Sequence, residues 1–179
     1  MQSEPVTVVR QAIHSRRIHI DGFKRSDGLW DIEGSINDVK QIDHMLTSGV
    51  RPAGEPIHHM TLCLTLDNSM TIIAARALTQ AMPYPGTCEN ITPEYAKLQG
   101  LKIEAGFTRK VAQLFGGARG CTHITELLGR MATGAIQAMA GHTPRNPDVK
   151  PFQLNGCHAF ASDGALVAQY YPRWYLKAG

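Results

Sequence analysis

Met60-Thr61-Leu62-Cys63-Leu64-Thr65-Leu66-Asp67-Asn68 alternates apolar and polar residues up to an Asp-Asn turn signal. Successive side chains of a strand point to opposite faces, so Met60, Leu62, Leu64 and Leu66 should share a buried face. His58 continues that parity, while His59 and Cys63 take the other. Beyond the turn, Met70 to Leu78 reads as the return strand. Upstream, Ile18 and Ile20 alternate with His19 and Asp21, Ser26-Asp27-Gly28 supplies a turn, and Leu29 to Ile36 places Trp30, Ile32 and Ile36 on one parity. That pattern predicts a hairpin. With a polar loop from Gln41 to Glu55 as connector, the first half reads as an antiparallel meander of about four strands.

The period then changes. Thr92-Pro93-Glu94 is a helix start, with a hydroxyl cap, proline at the first helical position and an acid in the first turn, and Gly100 stops the element after Leu98. Phe107, Val111, Leu114 and Phe115 keep helical spacing as far as Gly116-Gly117. From Thr122 to Ala140 a longer helix places Ile124, Leu127, Leu128, Met131, Ala135, Ala138 and Met139 on one stripe. An apolar run, Ala165 to Tyr171, reads as a further strand. The fold class expected is α+β, the meander packed against helices.

Length and composition set bounds. A chain of 179 residues with 43% hydrophobic content can bury one core, so residues 1–179 read as a single domain with an extended N-terminal arm at 1–13 and an extended tail at 145–179. The formal charge of +3 comes from 18 basic and 15 acidic side chains that are interspersed, which argues against a nucleic-acid partner. No stretch approaches the roughly 18 to 20 apolar residues that cross a bilayer, which argues against a membrane partner. No apolar segment follows Met1, so a cytoplasmic location is expected, with Cys63, Cys88, Cys121 and Cys157 reduced.

Chemistry points to Cys121. It follows Gly116-Gly117-Ala118-Arg119-Gly120 and opens the long helix, where free N–H groups and the helix dipole favour a thiolate able to bind metal or attack an electrophile. The parity of His58 aims it at the layer the helices cover, and Cys88, in a Pro- and Gly-rich loop between sheet and helices, can reach the same point. One imidazole and two thiolates suit zinc or iron, so His58, Cys88 and Cys121 are the expected metal ligands. The fourth position is open to His123, water or substrate. His123 shares a face with Cys121 if the chain is still extended there, and points away once the helix has begun. Cys63 and Cys157 read as small buried hydrophobes. His14, His19, His44, His142 and His158 read as surface or hydrogen-bonding residues, and Arg16-Arg17 as a solvated face. Trp30, Tyr84, Tyr95 and Phe107 read as core aromatics.

Two resemblances attach to these residues. His58-His59-Met60, the return strand, Pro83-Tyr84-Pro85-Gly86-Thr87-Cys88, Leu98-Gln99-Gly100-Leu101 and Gly120-Cys121-Thr122-His123-Ile124-Thr125-Glu126 together resemble an uncharacterised bacterial family classed as a domain of unknown function, over His14 to Ala140. Its Gly-Cys-Thr-His motif is fairly specific, and its members are similar in context to proteins of small-molecule catabolism. Ala53 to Ala140 also resembles, distantly, the NifU-like iron–sulfur cluster scaffold family. That resemblance implies an antiparallel sheet on helices with zinc or a cluster at its edge, Cys88 and Cys121 matching two of the family's cysteines. Pro56 or Ile57 stands where its first cysteine would be, which favours a fixed mononuclear metal over a transferable cluster.

The function expected is a metal-dependent enzyme of small-molecule, notably aromatic, catabolism, of lyase or hydrolase type. In it a His/Cys-bound zinc or iron acts as Lewis acid or water activator, with Cys121, His123 and Glu126 as catalytic residues. Asp27 and Glu33 are further proton carriers, and Arg119 or Arg25 an anchor for a substrate carboxylate. An iron–sulfur cluster or metal carrier, and a metal-free enzyme with Cys121 as nucleophile, stand as alternatives. A homodimer exchanging its arms is a further expectation.

Overall fold

The computed structural model describes residues 8–142 and 148–177. Strands β1 (His14–Lys24), β2 (Trp30–Lys40), β3 (His44–Leu46), β4 (Gly49–Arg51), β5 (Pro56–Leu66) and β6 (Ile72–Ala81) precede a 3₁₀ segment, Cys88–Leu98, and helices α1 (Phe107–Phe115) and α2 (Thr122–Met139). Four of the strands pair antiparallel in the order β1-β2-β5-β6, the expected meander. The segment expected as a plain polar loop instead carries the β3–β4 hairpin, inserted between β2 and β5. Together with the helices, the sheet makes the α+β class of the chain.

The alternating pattern decides which face is covered. Trp30, Ile32 and Ile36 of β2 and Met60, Leu62, Leu64 and Leu66 of β5 are buried on one side of the sheet. Ile124, Leu127, Leu128, Met131, Ala135 and Met139 of α2 are buried in the same core, with Phe107, Val111 and Phe115 of α1. Each large apolar side chain so enclosed contributes about 1.5–3 kcal/mol of transfer free energy. Asp67 fixes the β5–β6 turn by accepting the Ser69 and Thr71 N–H groups on Oδ1 at 2.8 and 2.9 Å, and Met70 adopts φ 66°. The return strand therefore starts at Ile72, beyond Met70 and Thr71, and not at Met70.

Helix and sheet approach closely through glycine. A Cβ on Gly22 would sit inside van der Waals contact with Ala138 Cβ, an atom with no rotamer to move it, and one on Gly34 would lie 2.7 Å from Met131 Sδ, at the end of a flexible side chain. Gly22→Ala is therefore expected to destabilise by about 1–3 kcal/mol. Ala138→Gly in the same chain should restore part of the loss, less about 1 kcal/mol for a helical glycine. Urea denaturation of the two single variants and the double measures the coupling, and strictly additive losses would contradict the contact.

The described residues up to Ala140 form one compact unit, and a second begins at Gly141. Within the second unit, Ala165–Tyr170 is a helix, α3, not the strand expected from its apolar run. Val167 is fully buried there while Tyr170 remains exposed, as one buried stripe of a short helix requires. Apolar runs of this length do not distinguish the two periods. The first helix expected, Thr92 to Leu98, begins earlier, at Cys88, and is 3₁₀. Cys157 is exposed instead of buried, and Cys63 is half-buried.

Candidate metal centre

Three strands bring three polar residues into one cross-strand row. Arg16 of β1 stands opposite Asp38 of β2, and Asp38 opposite His58 of β5. All three have the parity of the core-facing residues on their strands, so the row continues the buried face of the sheet to its end. A bulge lies next to the row, where the register slips between Asp38 and Val39. Bulges re-aim side chains beside functional sites, and here one adjoins His58, whose ring stacks on His123 of α2.

Asp38 is the centre of the cluster, and only 2% exposed. Its Oδ1 accepts from Arg16 Nε at 2.8 Å and lies 3.1 Å from His14 Nε2. Its Oδ2 accepts from an Arg16 terminal nitrogen at 2.7 Å, with His58 Nδ1 at 3.1 Å and His123 Nε2 at 3.5 Å. The two imidazoles stack with ring centroids 3.7 Å apart. Burial by itself would raise the carboxyl's pKa, but the Arg16 hydrogen bonds and charge, helped by His14 and His58, outweigh it and hold the group at about 2. Asp38 is thus a permanent anion at neutral pH. Burial lowers the pKa of His58, reinforced by neighbouring His123 and opposed by Asp38. His123 is lowered by burial and by the Arg16 charge, against Asp38 and Glu126. Both rings are predominantly neutral at pH 7, the form that ligates metal.

The first turn of α2 supplies the other half of the site. Cys121 is its cap, with extended backbone at φ −87° and ψ 127°, and the helix begins at Thr122. Because Cys121 is not yet helical, its Sγ lies 3.9 Å from His123 Nδ1, leaving Nε2 toward Asp38. Tyr95 holds this turn in place. Fully buried, its hydroxyl accepts the Cys121 N–H at 2.9 Å and lies 3.0 Å from the Cys121 carbonyl oxygen and 2.7 Å from Thr125 Oγ1. Its ring stacks on Phe115. Glu126, one turn past His123, accepts from Arg16 at 2.8 Å, so Arg16 bridges the acid of β2 and the acid of α2.

Among the described residues, the His, Cys, Asp and Glu side chains close enough to hold one ion are Asp38, His58 and His123, whose ligand atoms all lie within 4.8 Å of one another. His58 is thus common to this group and to the set expected from sequence. Cys88 and Cys121 are not members. Cys88 opens the 3₁₀ segment, its N–H donating to the Tyr84 carbonyl, and Cys121 touches the site through His123. His14, read as a surface or hydrogen-bonding residue, does bond Asp38, and Arg16, read as part of a solvated face, binds it twice. Of the other proton carriers and anchors expected, Asp27 pairs with Arg25 at a turn and Glu33 faces the opposite side of the sheet. Sequence carried one usable signal for Asp38. It prolongs the inward parity of Trp30, Ile32 and Ile36, as Arg16 prolongs that of Ile18 and Ile20.

The family model described as "Protein of unknown function (DUF2889)" matches residues 14–137, which includes every residue of this cluster. No curated protein and no solved structure matches the chain. No helix among the described residues is long and apolar enough to cross a membrane.

Proposed function

The chain belongs to this family of unknown function, and from its own residues we propose that it is a metal-dependent enzyme acting on a small molecule, with a divalent zinc or iron ion held by Asp38, His58 and His123. What supports this reading most is the convergence of two imidazole nitrogens on one buried carboxylate oxygen. In the absence of an ion each nitrogen can satisfy that oxygen only as a protonated donor. A divalent cation among them replaces those protons, and two histidines with one carboxylate suit zinc or non-haem iron. The charge balance is compatible with a cation as well, because the single Arg16 is shared by Asp38 and Glu126, leaving one net negative charge for the ion to offset.

Three protein ligands with a remaining open position are the pattern of a catalytic site. His58 and His123 keep side-chain exposures of 19% and 20%, so both rings are in partial contact with solvent at the edge of the cluster. The ion would supply Lewis acidity or an activated water. The chain's own groups do the rest. Arg16 fixes the plane of the Asp38 carboxylate through two hydrogen bonds, Tyr95 fixes the turn that carries His123, and Glu126, 32% exposed, accepts from Arg16 at Oε2 and can take a proton at Oε1.

Cobalt(II) tests the reading. Added to metal-free protein, it is expected to develop a visible band that shifts on addition of azide, through the open position, with no intense thiolate-to-cobalt absorption. No spectral change would sink the proposal. It would promote a second reading, in which Cys121, its sulfur 3.9 Å from His123 Nδ1, is a nucleophile with His123 as base.

A further inference from the structure

On the other face of the four-stranded sheet Asp21, Phe23, Glu33, Arg76 and Leu78 are exposed, and we propose that this face is the interface of a symmetric homodimer. The register assigns its cross-strand rows. The row through the middle of the face reads Asp21, Glu33, Cys63, Arg76 from β1 to β6. It is acidic on β1 and β2 and cationic on β6. Its neighbours read His19, Ser35, Thr61, Leu78 on one side and Phe23, Asp31, Thr65, Ala74 on the other.

That order is self-complementary. A twofold axis parallel to the strands, between two facing sheets, exchanges β1 with β6 and β2 with β5 and leaves each row at its own height. Arg76 of one copy then faces Asp21 of the other, one strand away from its Glu33, twice over, and Phe23 comes over the small Ala74. Aligned sheets pack about 30° apart, which rotates the outermost rows away and leaves the central ones opposed. Neither Glu33 nor Arg76 is in an ion pair among the described residues, while Asp21 is paired only with the exposed His19. Phe23 and Leu78, each 48% exposed, supply apolar area on the same face. Four strands at about 4.8 Å spacing and about 3.3 Å per residue give roughly 600 Å² per copy, so both faces together reach the lower edge of a specific interface. An antiparallel sheet can also leave one face to solvent. Charge segregated by strand is what favours a second copy.

Analytical ultracentrifugation of the full chain, with its charge variants, decides between them. Wild type is expected to sediment as a dimer. Arg76→Glu, which makes the central row wholly acidic, and Asp21→Arg with Glu33→Arg, which makes it wholly basic, should each weaken the dimer roughly a hundredfold through like-charge contacts while melting as cooperatively as wild type. An equimolar mixture of the two variants should restore the dimer. A monomeric wild type, unaltered dimers in both variants, or a mixture of folded variants that stays monomeric would each overturn the proposal.

Discussion

Asp38→Ala is expected to cost about 2–4 kcal/mol at neutral pH, the range for removing one partner of a buried, charged hydrogen-bond cluster. The carboxylate is 3% exposed at its side chain and serves Arg16 twice, His14 and His58, so its loss strands several donors at once. Arg16 is 36% exposed and already reaches Glu126, which keeps the cost below that of a fully enclosed pair. The effect has a pH signature. The folded pKa of about 2 lies below the ordinary value of 3.8, so the folded state binds fewer protons than the unfolded chain between those values. This part of the stability is complete above about pH 4, is lost as pH falls through 2, and amounts to about 2 kcal/mol. Denaturant titrations of metal-free wild type and Asp38→Ala at pH 7, 4 and 2.5 should therefore converge in acid. A difference that stayed constant with pH would show that Asp38 acts by packing alone.

His58→Ala and His123→Ala are each expected to weaken metal binding by roughly a hundredfold or more, since removing a ligand exceeds the 10–100-fold loss typical of groups that only orient ligands. The rings lie at the edge of the core and not within it, so the folds should survive with losses near 1 kcal/mol. Cys88→Ser should bind metal as wild type does, because Cys88 is outside the group of atoms that converge. Isothermal titration of each metal-free variant with zinc measures this. Loss of binding in Cys88→Ser with retention in His123→Ala would restore the thiolate site that the sequence suggested.

Much of the fold was legible in the chain, and half of the site. Alternation in Met60 to Leu66 and in Trp30 to Ile36 reports burial directly, so strand pairing and the covered face followed from it. Parity also aimed His58 correctly at α2. It failed to reveal Asp38 and Arg16, because charged residues at strand ends look like solvated loop, and only the register across three strands shows them meeting. Cys88 does not join the converging group. Its place in chain order, between sheet and helices, carries no distance. His123 turned on one residue of backbone. With Cys121 extended and Thr122 helical, thiol and imidazole remain neighbours, yet the imidazole's far nitrogen is the one that meets the carboxylate. The hydroxyl of Tyr95 carried no sequence signal, since a core aromatic and a core aromatic bonded to a helix cap have the same pattern.

Elemental analysis of purified protein, reconstituted with zinc or ferrous iron under reducing conditions and desalted, tests the central claim most directly. Wild type and the Cys88→Ser, Cys121→Ser double variant are expected to retain close to one equivalent, and the His58→Ala, His123→Ala double variant none. A wild type without metal, or a histidine double variant that keeps it, would contradict the assignment of Asp38, His58 and His123 as the metal centre.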